Sequence, residues 1–326
     1  MKQLSLLAKG KEQPHVAGLL DLRAHYETDL GAAYVTDSLK ALQAMPEGSV
    51  NLVLTSPPYA LHFQKHYGNV SKDKYVDWFI QFAHEIFRIL PDDGSFVLNI
   101  GGSYNKGTPT RSLYHFKLLI RLVEEVGFHL AQECFWYNPA KMPMPAEWVT
   151  VRKIRIKDAV EYVWWLSKTP WPKASNRKVL KQGLSADMYR LNRRGLRETT
   201  RPGGYKIKQS WAEIKGEGAI APNYLEAAHD DEPVAETALV FGNNAANDPY
   251  TLRCKENGIT IHPARFPRQL PEFFIKLLTD ETDIVLDPFA GSNTTGAVAE
   301  ALDRRWIAFD EVEEYVEGSK FRFEVD

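Results

Sequence analysis

IVLDPFAGSNTTG, residues 284–296, joins a strand, a turn and a helix in one short stretch. The apolar run 284–286 reads as a buried strand that ends at Asp287-Pro288. Ala290, Gly291 and Ser292 turn the chain, and a helix is expected over 294–302. In open α/β sheets ligands bind outside the carboxyl ends of strands. Small residues let backbone approach such a ligand, and the helix that follows offers unpaired N–H groups. The next expected strand, 306–309, ends in Asp310-Glu311, where an acid can hydrogen-bond ribose hydroxyls. Together these features read as a nucleoside-cofactor site, although a structural turn without a ligand would carry the same small residues. No Gly-Lys-Ser/Thr follows, which argues against a Walker phosphate loop, and G-x-G-x-x-G is absent.

Outward from this stretch, short apolar runs alternate with helical patterns. Strands are expected at 33–36, 50–54, 95–100, 132–137 and 160–166, and helices at 38–45, 74–90, 112–126, 270–278 and 313–323. Strands alternating with helices predict a doubly wound, mostly parallel α/β sheet. Between 168 and about 258 the periodicity fails. That region is rich in Arg, Lys, Gly, Asn and Pro, with aromatic residues to pack on, and reads as an irregular insertion.

VNLVL, residues 50–54, runs straight into TSPPY, Thr55 to Tyr59. Two prolines fix φ twice and remove two N–H groups, leaving a rigid segment with free carbonyls. An exocyclic base amine offers two N–H donors, which the Pro57 carbonyl and the Ser56 hydroxyl could hold while Tyr59 stacks on the ring. Without a cofactor loop elsewhere in the chain, a Pro-Pro turn closing a strand would be the simpler reading.

The chain has 326 residues, 44% hydrophobic and 25% charged, enough for a sizeable core. Its net charge of −2 argues against a coat protein for nucleic acid, but the charge is uneven. Residues 168–215 hold 13 Lys and Arg against three acids, Asp187, Glu198 and Glu213. Such a segment suits a face that meets a polyanion, with a solvated loop as the alternative. Two cysteines, no Cys/His metal spacing, no signal-like N-terminus and no membrane-length apolar run predict a cytosolic protein without a metal or a membrane. Cys134 reads as a buried strand residue.

The two motifs together resemble the S-adenosylmethionine-dependent amino-methyltransferases of DNA, which pair a (D/N/S)PP(Y/F) catalytic segment with a DxFxGSG-type cofactor loop. The order here, catalytic segment first and cofactor loop last, resembles the β-type permutation. TSPPYAL, YVDWF, DGSFVLNIGGSYNKGTP, FWYNPAKMP, RKIRIKDAV, HPARFPRQLPEFFIKLLT and DPFAGSNTTG extend the likeness over nearly the whole chain, with the weakest stretch at 179–258. The SPP form is similar to cytosine-N4 members, whereas adenine-N6 members usually carry DPP or NPP. Tyr59 stands where a cytosine-N4 relative has Phe, and Asn293 where many members have Gly.

The resemblance implies a circularly permuted, Rossmann-like sheet of seven strands. It divides the chain into a catalytic half (1–167), a target-recognition region (168–258) and a cofactor-binding half (259–326). Ser56, Pro57, Pro58 and Tyr59 would be catalytic. Asp37, Thr55, His262, Phe266, Asp287, Pro288, Phe289, Gly291, Ser292, Asn293, Thr294 and Asp310 would bind S-adenosyl-L-methionine, with the loop residues at its methionine end and Asp310 at the ribose. The target cytosine must leave the duplex, and Trp136 and Tyr137 are candidates for its pocket, with core packing as the alternative. Arg152, Lys153, Arg155, Arg193, Arg194, Arg197 and Arg201 would bind double-stranded DNA. A monomer or weak dimer with no obligate protein partner, in the cytoplasm of a bacterium or phage-infected cell, is expected, as is a short palindromic target such as CAGCTG. Adenine-N6 methylation is the alternative chemistry. A DNA-binding module with a vestigial cofactor site is a second class. A protein or small-molecule methyltransferase would leave the basic insertion unexplained.

Overall fold

Two short strands lie at the centre of the sheet: β3 (Leu52–Thr55) and β10 (Ile284–Asp287), both buried throughout. They pair in parallel, Val285 opposite Leu52 and Leu286 opposite Val53. This computed structural model describes residues 14–60, 70–138, 141–180, 190, 193–194, 199–200, 202–207, 218–226, 248–265 and 267–324. Outside β10 come β11 (Arg305–Asp310), β2 (Gly31–Val35) and β1 (Tyr26–Glu27). Outside β3 come β4 (Ser95–Ile100), β6 (Val160–Ser167), β5 (His129–Tyr137) and β9 (Tyr224–Glu226). Strands β2, β11, β10, β3 and β4 are parallel, and β6 runs against both its neighbours.

The sheet therefore has nine strands where seven were expected. Seven form its body, from β2 to β5. The extra two are edge strands of two and three residues, β1 and β9, too short to show a period-two pattern. A separate hairpin pairs β7 (Thr199–Thr200) with β8 (Lys206–Ile207).

Because successive strand residues face opposite sides, the central strands feed two cores. Val53, Leu286, Ile307 and Phe309 pack with α1 (Ser38–Ala44), α2 (Lys72–Ile89) and α3 (Tyr114–Glu124). Leu52, Leu54, Val285, Trp306 and Ala308 pack on the other face with α5 (Gln269–Leu278), α6 (Thr294–Ala301) and α7 (Glu313–Ser319). Burial on both faces accounts for the near-continuous apolar runs of VNLVL and IVL. The preceding helix, α4 (Pro249–Glu256), is capped by Asp248, whose carboxylate accepts from the Thr251 N–H at 2.9 Å. It lies against α7, with the Cys254 sulfur near Gly318.

The first part of the basic stretch does not lie at the carboxyl edge of the sheet. Ser167 pairs with Ser95, the first residue of β4, so the chain leaves β6 at the amino edge. Lys168 donates to the Leu90 carbonyl at 2.6 Å, and Lys173 pairs with Asp283 at 2.6 Å and Asp280 at 2.8 Å. Lys178 donates to the Thr279 carbonyl at 2.9 Å. These three lysines brace loops, because their ammonium groups are engaged by carbonyls and carboxylates of the same chain.

The central pair is pinned at its carboxyl end. Asp287 is almost wholly buried and accepts from the Thr55 hydroxyl at 2.6 Å, the Thr295 hydroxyl at 2.8 Å and the Phe289 N–H at 3.1 Å. Burial pushes its carboxyl up to about 6, against the pull of those donors. A folded value above the ordinary 3.8 favours the protonated acid in the native state. The contribution to stability is thus full below 3.8 and is lost as pH rises through about 6. Thr55→Val removes one donor and should destabilise the fold by about 1–3 kcal/mol. Urea denaturation should show a larger loss at about pH 7.5, where the carboxylate is charged, than at about pH 5.

Candidate active site

The carboxyl ends of the parallel strands open into one cavity of about 480 Å³. Ser56, Pro57, Pro58 and Tyr59, which follow β3, form one wall. Pro288, Phe289, Ala290, Ser292 and Thr294, which follow β10, form another. Asp310 and Glu311 close the end of β11, and His262, Arg265 and Tyr315 cover that side. Trp78 and Phe82 of α2 reach the cavity beside Phe289, with ring centroids 5.8 and 5.1 Å from it. Asn99, Trp136 and Glu161 come from β4, β5 and β6. The two motifs, far apart in the chain, thus face each other at the crevice where an open α/β sheet binds ligands.

The loop after β10 has a fixed shape. Gly291 has φ 51°, and a Cβ there would lie 2.8 Å from the His262 ring, so a side chain is excluded twice. Asn293 is left-handed at φ 52°, ψ 43°. Its side chain accepts from the Gly296 N–H at 3.0 Å and donates to the Tyr26 hydroxyl at 3.1 Å. Asn tolerates this conformation better than most residues, which accounts for Asn where the resembling motif often has Gly. Arg322 holds the loop from behind, donating to the Ser292 carbonyl at 2.6 Å and its hydroxyl at 3.2 Å. Burial lowers the Arg322 guanidinium to about 10.

Asp310 accepts from the Gly291 N–H at 2.8 Å and the Val312 N–H at 2.9 Å, and the Glu311 N–H is also turned toward it. Burial raises this carboxyl above its ordinary range.

Not every candidate reaches the cavity. Thr55 and Asp287 lie beneath it as the pin described above. Gly291 and Asn293 shape the loop without lining the cavity. The Asp37 carboxylate caps α1, accepting from Leu39 N–H at 3.0 Å and Lys40 N–H at 3.3 Å. Its neighbour Ser38 lines the cavity instead and donates to the Pro288 carbonyl at 2.5 Å. Trp136 lines the cavity, whereas Tyr137 stacks on Tyr224 at 5.9 Å. Phe266 lies outside the described residues, as do Arg197 and Arg201.

The Ser56–Tyr59 segment makes a polar network that the sequence reading missed. The Tyr59 ring packs against Gly101, where a Cβ would come within 2.5 Å of it. Its hydroxyl lies 3.2 Å from the Ser56 hydroxyl, 2.9 Å from a Glu161 carboxylate oxygen and 3.1 Å from the Asn99 side-chain oxygen. The second Glu161 oxygen accepts from Lys141 Nζ at 2.8 Å. Asn99 donates to the Tyr162 carbonyl at 3.2 Å, which fixes its amide orientation. Burial and the adjacent Glu161 push the Tyr59 phenol well above its ordinary value, so it keeps its proton. A lone acid inside VEYVWWL was the available signal for Glu161.

Among the basic candidates, Arg152 and Lys153 are exposed on the 138–159 connection, which leaves β5 at the cavity edge. Arg152 pairs with Glu147 at 2.7 Å. Arg155 turns inward, donating to the Pro109 carbonyl at 2.5 Å and lying over the Tyr104 ring at 4.8 Å. Arg193 and Arg194 are exposed. Both cysteines, Cys134 and Cys254, are buried and unpaired. Among the described residues no helix is long and apolar enough to cross a membrane.

Comparison with known proteins matches this arrangement. The DNA methylase family profile aligns with residues 50–321. The type II methyltransferase M.PvuII of Proteus hauseri is 48% identical over 301 residues, covering 91% of this chain and 85% of that protein. The type II methyltransferase M.SfiI of Streptomyces fimbriatus is 28% identical over 376 residues, covering 87% and 89%. The solved PvuII DNA methyltransferase, described as cytosine-N4-specific, superposes with a TM-score of 0.73 at 43% identity, covering 94% of this chain and 91% of that one. A Thermus thermophilus protein solved in complex with S-adenosyl-L-methionine, at 21% identity and a TM-score of 0.52, shares the fold. By the extent of these matches, the chain belongs to the DNA methylase family.

Proposed function

We propose that the protein transfers a methyl group from S-adenosylmethionine to the N4 amine of cytosine in a short duplex target, as the modification enzyme of a restriction system. The observation that carries this reading is the single cavity in which the Ser56–Tyr59 turn faces the loop after β10. The cytosine assignment is favoured by Ser56 at the head of the motif and by likeness to a relative described as cytosine-N4-specific. Adenine-N6 transfer on the same fold is the competing chemistry.

The cavity suits the cofactor. Trp78, Phe82 and Phe289 give it apolar faces, and Asp310 and Glu311 offer acceptors for ribose hydroxyls. The Ser292 and Thr294 hydroxyls at the start of α6 suit a carboxylate. Bound there, S-adenosylmethionine supplies a methyl group made electrophilic by its sulfonium.

The chain's own residues then have three tasks. Ser56 and the Pro57 carbonyl accept from the two amine hydrogens, which orients the nitrogen and stabilises positive charge developing on it. The two prolines hold these acceptors without rearrangement. The cavity walls exclude water from a base that has left the duplex. Nothing in this chemistry calls for a covalent enzyme intermediate.

Arg152, Lys153, Arg193 and Arg194 are assigned to phosphates, and the 168–258 region to target recognition between a catalytic half at 1–167 and a cofactor half at 259–326. A monomer acting on one strand at a time, in a bacterial or phage-infected cytoplasm, accords with this scheme, and CAGCTG is the first target to test.

Nucleoside mass spectrometry of DNA treated with the purified protein should show N4-methylcytosine; N6-methyladenine as the sole product would overturn the assignment. Ser56→Ala should lower turnover on the order of 100-fold while cofactor affinity by calorimetry is unchanged. Asp310→Ala should weaken cofactor binding by about 10-fold or more and leave DNA affinity nearly untouched.

A further inference from the structure

We propose that Glu161, acting through Tyr59, sets the polarity of the Ser56 hydroxyl and receives the proton released from the methylated amine. The inference rests on the functional reading above. Its basis is the continuous chain from Ser56 Oγ to Tyr59 Oη at 3.2 Å and on to Glu161 Oε2 at 2.9 Å, with Glu161 Oε1 held by Lys141 Nζ at 2.8 Å.

A carboxylate only accepts. The Tyr59 hydroxyl donates to Glu161 Oε2, and the Tyr59 oxygen is then an acceptor for Ser56. The single Ser56 proton is thereby turned toward Tyr59, and its lone pairs are left for an N–H of the target amine. Asn99 also lies within reach of the phenol at 3.1 Å, but a charge-assisted bond to the nearer carboxylate is the stronger of the two. The elevated affinity of Tyr59 for its proton keeps it a neutral donor throughout.

The same chain accounts for the proton. The cytosine N4 lone pair forms the N–CH3 bond as the S–CH3 bond breaks, and the sulfur keeps that electron pair. N4 then carries one hydrogen too many. That proton passes to Ser56 Oγ, the Ser56 proton to Tyr59 Oη, and the Tyr59 proton to the Glu161 carboxylate. Lys141 stays charged, and Glu161 ends neutral. Since Glu161 acts through Tyr59, it is a positioning residue in this scheme rather than one that touches the base.

The charged and titratable groups facing this carboxylate are Lys141 from the β5–β6 connection, Tyr59 from the catalytic turn and Tyr114 from α3. Asp310, Glu311, His262 and Arg265 line the same cavity, so an acid limb in a rate profile needs a variant to assign it.

Glu161→Gln supplies that variant. Lys141 has only donors, so it claims the amide oxygen and turns the NH2 of Gln toward Tyr59. Tyr59 is then left with the Asn99 side-chain oxygen as its acceptor, and the chain no longer ends in a group that can take the proton. The test is single-turnover formation of N4-methylcytosine on unmethylated genomic DNA as a function of pH. Cofactor affinity by calorimetry and thermal unfolding are followed alongside. Proton transfer along the chain needs a free acceptor, so wild-type rates should fall toward acid pH. Glu161→Gln should be slower on the order of 100-fold and lack that acid limb, with cofactor affinity and stability unchanged. Tyr59→Phe should cost about 10-fold or more and lose the same limb, and Glu161→Asp should recover part of the rate. A Glu161→Gln rate within about threefold of wild type, or an unaltered acid limb, would overturn the proposal. So would a loss matched by weaker cofactor binding or a less stable fold, which would make Glu161 a brace. If the wild-type protein itself forms no N4-methylcytosine, the functional reading fails first, and this inference with it.

Discussion

Asp287 accepts hydrogen bonds from Thr55 and Thr295, and through them one buried carboxylate holds the ends of β3, β10 and α6 together. The Ser56–Tyr59 turn begins at the residue after Thr55, and the loop that faces it begins at the residue after Asp287. Their separation across the cavity is therefore set by side chains that never enter it. Burying a carboxylate is costly, and three donors offset that cost only in part, as the upward shift of its proton affinity shows. The fold accepts a locally unfavourable group where two distant segments must meet in a fixed relation.

Most of the sheet was legible because its body is made of strands buried on both faces, which leave continuous apolar runs such as SFVLNI. The order of these runs and of the helices between them carried the fold class. The edge strands β1 and β9 were not legible, since two or three residues carry no periodicity. The basic stretch misled at its start. Composition reports the number of lysines, not whether each already has a carbonyl or carboxylate of its own chain, as Lys168, Lys173 and Lys178 do.

The candidate site was legible as two motifs, but a motif does not separate residues that touch a ligand from residues that shape what touches it. Ser56, Tyr59, Phe289, Ser292 and Asp310 line the cavity, whereas Asp287, Gly291 and Asn293 determine the course of the backbone. Both kinds are equally fixed by the local geometry. Glu161 and Arg322 belong to neither motif. Strand pairing with β5 brings Glu161 to the cavity, and the last described turn of the chain brings Arg322 to Ser292. Such long-range neighbours leave little trace in a linear reading.

The strand order also has a consequence for biosynthesis. Strand β2, near the start of the chain, has β1 and β11 as its neighbours, and β11 comes from near the end. Strand β3 likewise waits for β10. A chain emerging from the ribosome exposes the Ser56–Tyr59 turn long before the loop that faces it exists, and the centre of its sheet stays open until β10 and β11 appear. Non-local pairing of this kind is slow to form, so the cavity is complete only after the whole sheet has closed.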